Sequence, residues 1–256
     1  MSRSVATGVQ GLDELLNGGF PEGRVILVVG GPGTGKTILA SQFLYKGIYD
    51  HNENGIFVSL DESKNHYYSE MQNFGWDFKK AEEEAKFVFI DATRMSRAAL
   101  PREKIYGESS SLRGKQLPVD KLIEELEAKI HQIDAKRVAL DTLATLFHRF
   151  PDPIERRVAV VDLFESLSEL RITTIITTEL SRLGLNRDVS DEEYMAHGVI
   201  MMQTLFSQEA TTRAIHVEKM RGTKVISERV PYTIDRNGIE VFPDVPVFRK
   251  AKSETF

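Results

Sequence analysis

Apolar positions along the chain change their period several times, and each change marks an element. Leu12, Leu15 and Leu16 share one face of a helical turn or two before Gly18 and Gly19 stop it. Arg24–Val29 then runs apolar without alternation, as in a strand covered on both faces. After Gly35 the period becomes helical, through Ile38, Leu39, Phe43, Leu44 and Ile48. Further strands are predicted at Gly55–Leu60 and Ala85–Ile90, with a helix over Ser63–Phe74 between them that stops at Gly75. Val119, Leu122, Ile123, Leu126, Ile130 and Ile133 form an amphipathic stripe, followed by a short strand at Arg137–Asp141. Phe147–Glu155, with two prolines, reads as a loop. A helix through Val158–Leu170 leads to the β-branched strand Ile172–Thr178.

Beyond this point the rhythm changes. Ser181–Ala196 is polar and reads as a loop, and strands follow at Gly198–Leu205 and Thr211–Met220. Tyr232–Phe242 reads as a hairpin turning at Asn237–Gly238. Strands alternate with helices as far as about residue 180, which predicts an α/β fold with a mostly parallel sheet flanked by helices; the later strands would extend it with antiparallel edges. We expect residues 1–256 to form one domain, with a loosely held tail over 249–256. The segment 93–118 interrupts the pattern. It carries six basic side chains (Arg94, Arg97, Arg102, Lys104, Arg113, Lys115) against two acidic ones and reads as a long insertion.

Composition narrows the classes. With 33 Lys and Arg against 38 Asp and Glu, the chain of 256 residues has a net charge of −5. That balance disfavours a general nucleic-acid coat, and no base-reading module is present, so nucleic acid stays open without being favoured. An apolar fraction of 41% exceeds that of a disordered chain. No cysteine is present, so thiol chemistry and thiolate metal sites are excluded. The six histidines show no metal-ligand spacing. No apolar run is long enough to span a membrane and the N-terminus lacks a signal-peptide core, so a cytoplasmic protein with no membrane partner is expected.

The strongest chemical signal is Gly30, Gly31, Pro32, Gly33, Thr34, Gly35, Lys36 and Thr37, which matches GxxxxGK[ST] in full. It lies between a predicted strand and a predicted helix. There, glycines let backbone N–H groups converge on phosphate oxygens and the helix start favours negative charge. Lys36 would reach the β- and γ-phosphates of ATP, or the β-phosphate of ADP, and the Thr37 hydroxyl would ligate Mg²⁺. Asp141, at the end of an apolar strand, fits the second metal partner. Asp61 and Glu62 end another strand. Glu62 is the preferred water-activating residue, and Asp61 its rival or auxiliary, with a helix cap as the plain alternative for Asp61. Thr177, Thr178 and Glu179 close the next strand; a γ-phosphate sensor, with Thr178 touching nucleotide, and a simple strand end are equally open there.

Several segments together resemble the RecA-like P-loop ATPases, and more closely the family of the circadian-clock ATPase KaiC with its shorter archaeal and bacterial relatives. The resembling stretches are Thr7–Gly23, Gly30–Thr37, Phe57–Ser63, Phe74–Asp77, Ala139–Thr142 and Val217–Lys224. The family usually has two glutamates where this chain has Asp61 and Glu62. The resemblance implies a RecA-like fold, hydrolysis of ATP, and self-association in a homohexameric ring with nucleotide at subunit boundaries. It also implies that Lys219 and Arg221 serve the neighbouring protomer's nucleotide. By the same resemblance, the loops at 147–157 and 181–197, with Arg149, Arg156, Arg157, Arg182 and Arg187, would face the channel. A nucleotide-gated scaffold with a protein client and little turnover is the competing class, and an ATP-dependent nucleic-acid-binding recombinase a further one. No acceptor-substrate motif speaks for a metabolic kinase. Neither circadian timing nor a phosphosite is implied.

Overall fold

The computed structural model describes residues 3–93, 118–147, 152–180, 190–206, 211–245 and 247. The basic insertion from 94 to 117, Arg149, Arg182, Arg187 and the tail lie outside these residues.

Nine strands form the main sheet: β3 (Val25–Gly30), β4 (Gly55–Ser59), β5 (Phe87–Asp91), β6 (Arg137–Asp141), β7 (Thr173–Glu179), β8 (Gly198–Phe206), β9 (Thr211–Met220), β10 (Val230–Asp235) and β11 (Gly238–Val241). Their order is β11-β10-β9-β8-β3-β7-β6-β4-β5. From β8 to β5 every pairing is parallel; from β8 outward to β11 every pairing is antiparallel. The expected mixed sheet is therefore present. A small antiparallel pair, β1 (Ser4–Val5) with β2 (Phe20–Pro21), precedes it.

β3 shows why the central strands lack alternation. All six of its residues are buried, yet they still point to opposite faces in turn. Ile26 and Val28 pack into one core. Beneath it lie α1 (Leu12–Leu15), α2 (Lys36–His51), α3 (Lys64–Gln72) and α4 (Phe78–Glu83). Val25, Leu27 and Val29 pack into the other core, with α5 (Pro118–Ile133), α6 (Leu143–Phe147) and α7 (Pro153–Glu169). Each face of the sheet is dry, so each residue of the strand is apolar.

The loop predicted at Phe147–Glu155 is shorter than expected. Helix α6 runs through Phe147, and α7 begins at Pro153. Asp152 caps α7 by accepting from the N–H groups of Ile154 and Glu155, and a proline suits the first helical turn because its missing donor would be unpaired there. Similarly, the loop expected over Ser181–Ala196 contains α8 (Asp191–Met195), capped by the Ser190 side chain. The final hairpin turns one residue earlier than expected, because Asp235 pairs with Gly238 and leaves Arg236 and Asn237 as the loop.

Two buried polar side chains fasten the layers. Arg137, 1% exposed, donates to Glu53 Oε2 at 2.7 Å and to the carbonyls of Ala6 and Phe43, and its guanidinium lies over the Phe43 ring. Gln42, on α2, donates to the carbonyls of Gly8 and Ile239 and accepts from the Ile239 N–H at 2.7 Å. Both bring their full set of partners with them, as buried polar groups must.

Candidate functional site

The carboxyl ends of the parallel strands gather the predicted residues. Strand β3 runs into the loop Gly30–Gly35, and α2 starts at Lys36. α2 has Gly35 at its N-cap with no side-chain hydrogen bond there, whereas α7 and α8 are closed by Asp152 and Ser190. The first N–H groups of α2 are thus left for an external acceptor. Gly35 has φ +90°, a backbone conformation that favours glycine, and a Cβ there would also displace the Ile234 Cδ1 methyl, 2.6 Å away. The buried Tyr232 hydroxyl donates to the Thr34 carbonyl at 2.6 Å, tying the loop to β10.

Lys36 Nζ donates to the Gly30 and Gly31 carbonyls at 2.9 and 3.1 Å. Burial pushes its ammonium pKa down, and Asp141 and Glu179 oppose that shift. The next residue, Thr37, donates to Asp141 Oδ2 at 2.9 Å. Thr177 donates to the other oxygen, Asp141 Oδ1. Asp141 thus holds two hydroxyls, one from each neighbouring element, and the peptide after it is cis. Burial raises its pKa; the two hydroxyls and Lys36 offset this, and Asp61 adds to it. An oxygen donor set of one hydroxyl and one carboxylate suits a hard divalent cation such as Mg²⁺.

Of the two threonines at the end of β7, Thr177 is the one that reaches the acid. Thr178, 3% exposed, sits on the alternate face, paired in register with Val29. Glu179 is exposed and pairs with Gly30.

Asp61 and Glu62 follow β4, which lies beside β6 with Ser59 opposite Asp141. Asp61 is exposed, and Glu62 is half-buried. The Glu62 N–H donates to Ser59 Oγ at 2.9 Å, which fixes its backbone at the strand end. Its carboxyl pKa is raised, first by burial and then by Glu70; His66 pulls it down, while Asp141 and Asp61 push it further up. Such a carboxylate is a better proton acceptor than an exposed one. Sequence reasoning missed His66 and Glu70. The signal was present in the four-residue spacing of Glu62, just ahead of α3, and His66 and Glu70 on it, and their ligand-type atoms lie within 4.8 Å of one another.

Lys219 and Arg221 stand elsewhere. The Arg221 N–H donates to the His197 carbonyl, and the His197 N–H donates to the Val25 carbonyl. Arg221 is therefore level with the start of β3, about 16 Å along the strand from Gly30 at ~3.3 Å per residue. Lys219 Nζ donates to the carbonyls of Glu193 and Tyr194 at 2.8 and 2.9 Å, and Arg221 donates to Tyr194 at 2.8 Å. Both cations cap the carboxyl end of α8, where unpaired carbonyls gather. The structure does not bring them to the phosphate loop of the chain.

Of the arginines predicted to line a channel, Arg156 and Arg157 are described, and Arg157 pairs with Asp191 at 3.3 Å. No helix among the described residues is long and apolar enough to cross a membrane.

An apolar strand, a glycine-rich loop opening an uncapped helix, and a neighbouring strand-end aspartate bonded to the loop's threonine define a P-loop nucleoside triphosphatase with a RecA-like sheet. Known proteins agree. The family described as "ATPase: KaiC" matches residues 5–245, and the chain belongs to this family of ATP-binding, ATP-hydrolysing enzymes. It is 38% identical over 244 residues to the UPF0273 protein MJ1359 of Methanocaldococcus jannaschii, covering 94% of this chain and 97% of that one. It is 32% identical to the circadian clock oscillator protein KaiC of a Picosynechococcus strain, of whose length it spans 45%. Among solved structures, the KaiC-like protein PH0186 of the hyperthermophilic archaeon Pyrococcus horikoshii shares the fold with a TM-score of 0.79 at 34% identity, covering 95% of this chain and 100% of that one.

Proposed function

We propose that the chain works as a homo-oligomeric ring, hexameric as the family resemblance implies, that binds Mg²⁺ and ATP at its subunit boundaries. The open start of α2 and Lys36 would hold the phosphates. Thr37 and Asp141 would hold the cation, which neutralises charge on the β- and γ-phosphates when bound. Glu62 accepts a proton from the attacking water as its oxygen bonds to the γ-phosphorus. The bond from that phosphorus to the bridging oxygen then breaks, and ADP and phosphate leave.

The observation that carries the ring reading is the placement of Lys219 and Arg221. Two cations from the family's signature segment face away from their own phosphate loop, so any nucleotide they serve belongs to another copy. A charge supplied in trans stabilises the transferring phosphoryl group and makes turnover depend on assembly.

Mixed rings test this. R221A and K36A proteins should each release phosphate from Mg·ATP slowly. Their mixture should regain activity, because a K36A protomer lends its intact Arg221 to the phosphate loop of an R221A neighbour. R221A turning over at the wild-type rate in an assembled ring, or a mixture no better than its parts, would discard the trans assignment. An E62Q protein that hydrolyses ATP normally would remove Glu62 from its role.

A further inference from the structure

Helix α3 is set firmly against the sheet by one face. Tyr67 and Met71, four residues apart, are buried, and the Tyr67 hydroxyl donates to Ser41 Oγ at 2.9 Å. The Tyr67 ring packs 4.2 Å from that of Phe57 and 5.3 Å from those of Phe78 and Phe89. This anchoring fixes where the adjoining face points. That face carries His66 and Glu70, and Glu62 stands one turn before His66, just ahead of the helix. His66 Nδ1 lies 3.8 Å from Glu62 Oε1 and 4.0 Å from Glu70 Oε1. The imidazole is therefore shared between the site carboxylate and a second carboxylate one turn further on.

We propose that His66 is a proton-operated positioning residue for Glu62. When the imidazole carries a proton, its charge draws the Glu62 carboxylate onto the α3 surface and lowers its basicity, diverting it from the attacking water. When the imidazole is neutral that hold is lost, and Glu62 turns to the phosphate site as a stronger base. Glu70 tunes the exchange by competing for the same proton-bearing ring. Among the described residues, the charged and titratable groups that act on Glu62 are Glu70 and His66 on α3, Asp141 at the end of β6, and Asp61, its neighbour in the chain. Among these only His66 brings positive charge, and an imidazole changes its charge within the range where cells vary their pH. The residues act through Glu62 and do not touch substrate. The proposal rests on Glu62 being the base, as set out above.

Phosphate release from saturating Mg·ATP by the full-length chain, measured from about pH 5.5 to 8.5, tests it. Wild-type kcat should fall about 5- to 10-fold on acidification through the imidazole range, with KM for ATP steady. H66Q should fall less than about twofold over the same interval and drop only where Glu62 itself takes up a proton. Superimposable profiles for wild type and H66Q would overturn the proposal. H66N serves as a second variant should H66Q fold poorly, with nucleotide binding as the check on folding. The two failures are distinct: an inactive E62Q with an unchanged H66Q profile removes only His66, whereas a fully active E62Q removes the base and this proposal with it.

Discussion

Strand β6 carries a charged side chain at each end, and the two ends are built in opposite ways. Arg137 begins the strand and is closed on itself: a carboxylate, two carbonyls and a ring account for its charge and its donors. Asp141 ends the strand beside the phosphate loop. Two hydroxyls donate to it, burial still raises its pKa, and its strongest partner would be a divalent cation. Four residues apart on one strand, one charge is spent on holding the layers together and the other is kept at a cost for chemistry. Burying a paired charge is near neutral and burying an incompletely paired one is not, so a fold tolerates the second kind only where it has a use.

Breaking the closed end should have the largest effect on stability. R137A leaves Glu53 without its cation and removes a donor from the carbonyls of Ala6 and Phe43, and should lower unfolding free energy by about 3–5 kcal/mol in denaturant titration. A midpoint within error of wild type would show that the cluster contributes nothing. At the open end the effect should fall on function. K36A should cut turnover roughly 10²–10³-fold, with ATP affinity weakened in calorimetry and the melting curve little changed. Y232F removes only the hydroxyl that holds the Thr34 carbonyl. Burial keeps that phenol protonated and donating, and its loss should weaken ATP binding about fivefold, near 1 kcal/mol, with kcat retained.

The smallest effect is the most telling for the comparison. A carboxyl whose pKa is raised by folding contributes stability below its unfolded pKa and loses that contribution as pH rises through its folded pKa. Ionised Asp141 therefore weighs against the fold at neutral pH. Without nucleotide, D141N should melt at or above the wild-type temperature at pH 7.5, by roughly 2–4 °C. The stabilisation given by Mg·ATP should be lost in D141N. A lower melting temperature for D141N without nucleotide would mean that Asp141, like Arg137, belongs to the closed kind.

Much of this organisation was legible beforehand, and for physical reasons. Strands β3 to β7 are apolar because both faces of a parallel sheet are dry, so their ends, with Lys36, Thr37, Asp61, Glu62 and Asp141, could be placed within a residue or two. Pro153 misled because proline marks a loop and a helix start alike; only the Asp152 side chain, read as a cap, separates the two. His66 belongs to no HExxH or paired-histidine motif, and its relation to Glu62 is a helical neighbour pair, which residue types alone do not single out. Thr177 and Thr178 could not be told apart, since the face a strand residue takes depends on register with neighbours far away in sequence. The attachment of Lys219 and Arg221 to α8 joins segments some 25 residues apart through main-chain carbonyls, which leave no mark in residue types.

The Gln42 amide, which reaches Gly8 on one side and Ile239 on the other, makes the helix behind the phosphate loop a shared hinge pin for both extremities of the fold. A protease that nicked the closing hairpin would strip the pin on that side and strand polar atoms in the core. The damage would start at α2, the helix that presents Lys36 and Thr37. Anyone shortening or splitting this chain for use as a nucleotide-responsive tag should therefore cut elsewhere and leave that hairpin whole.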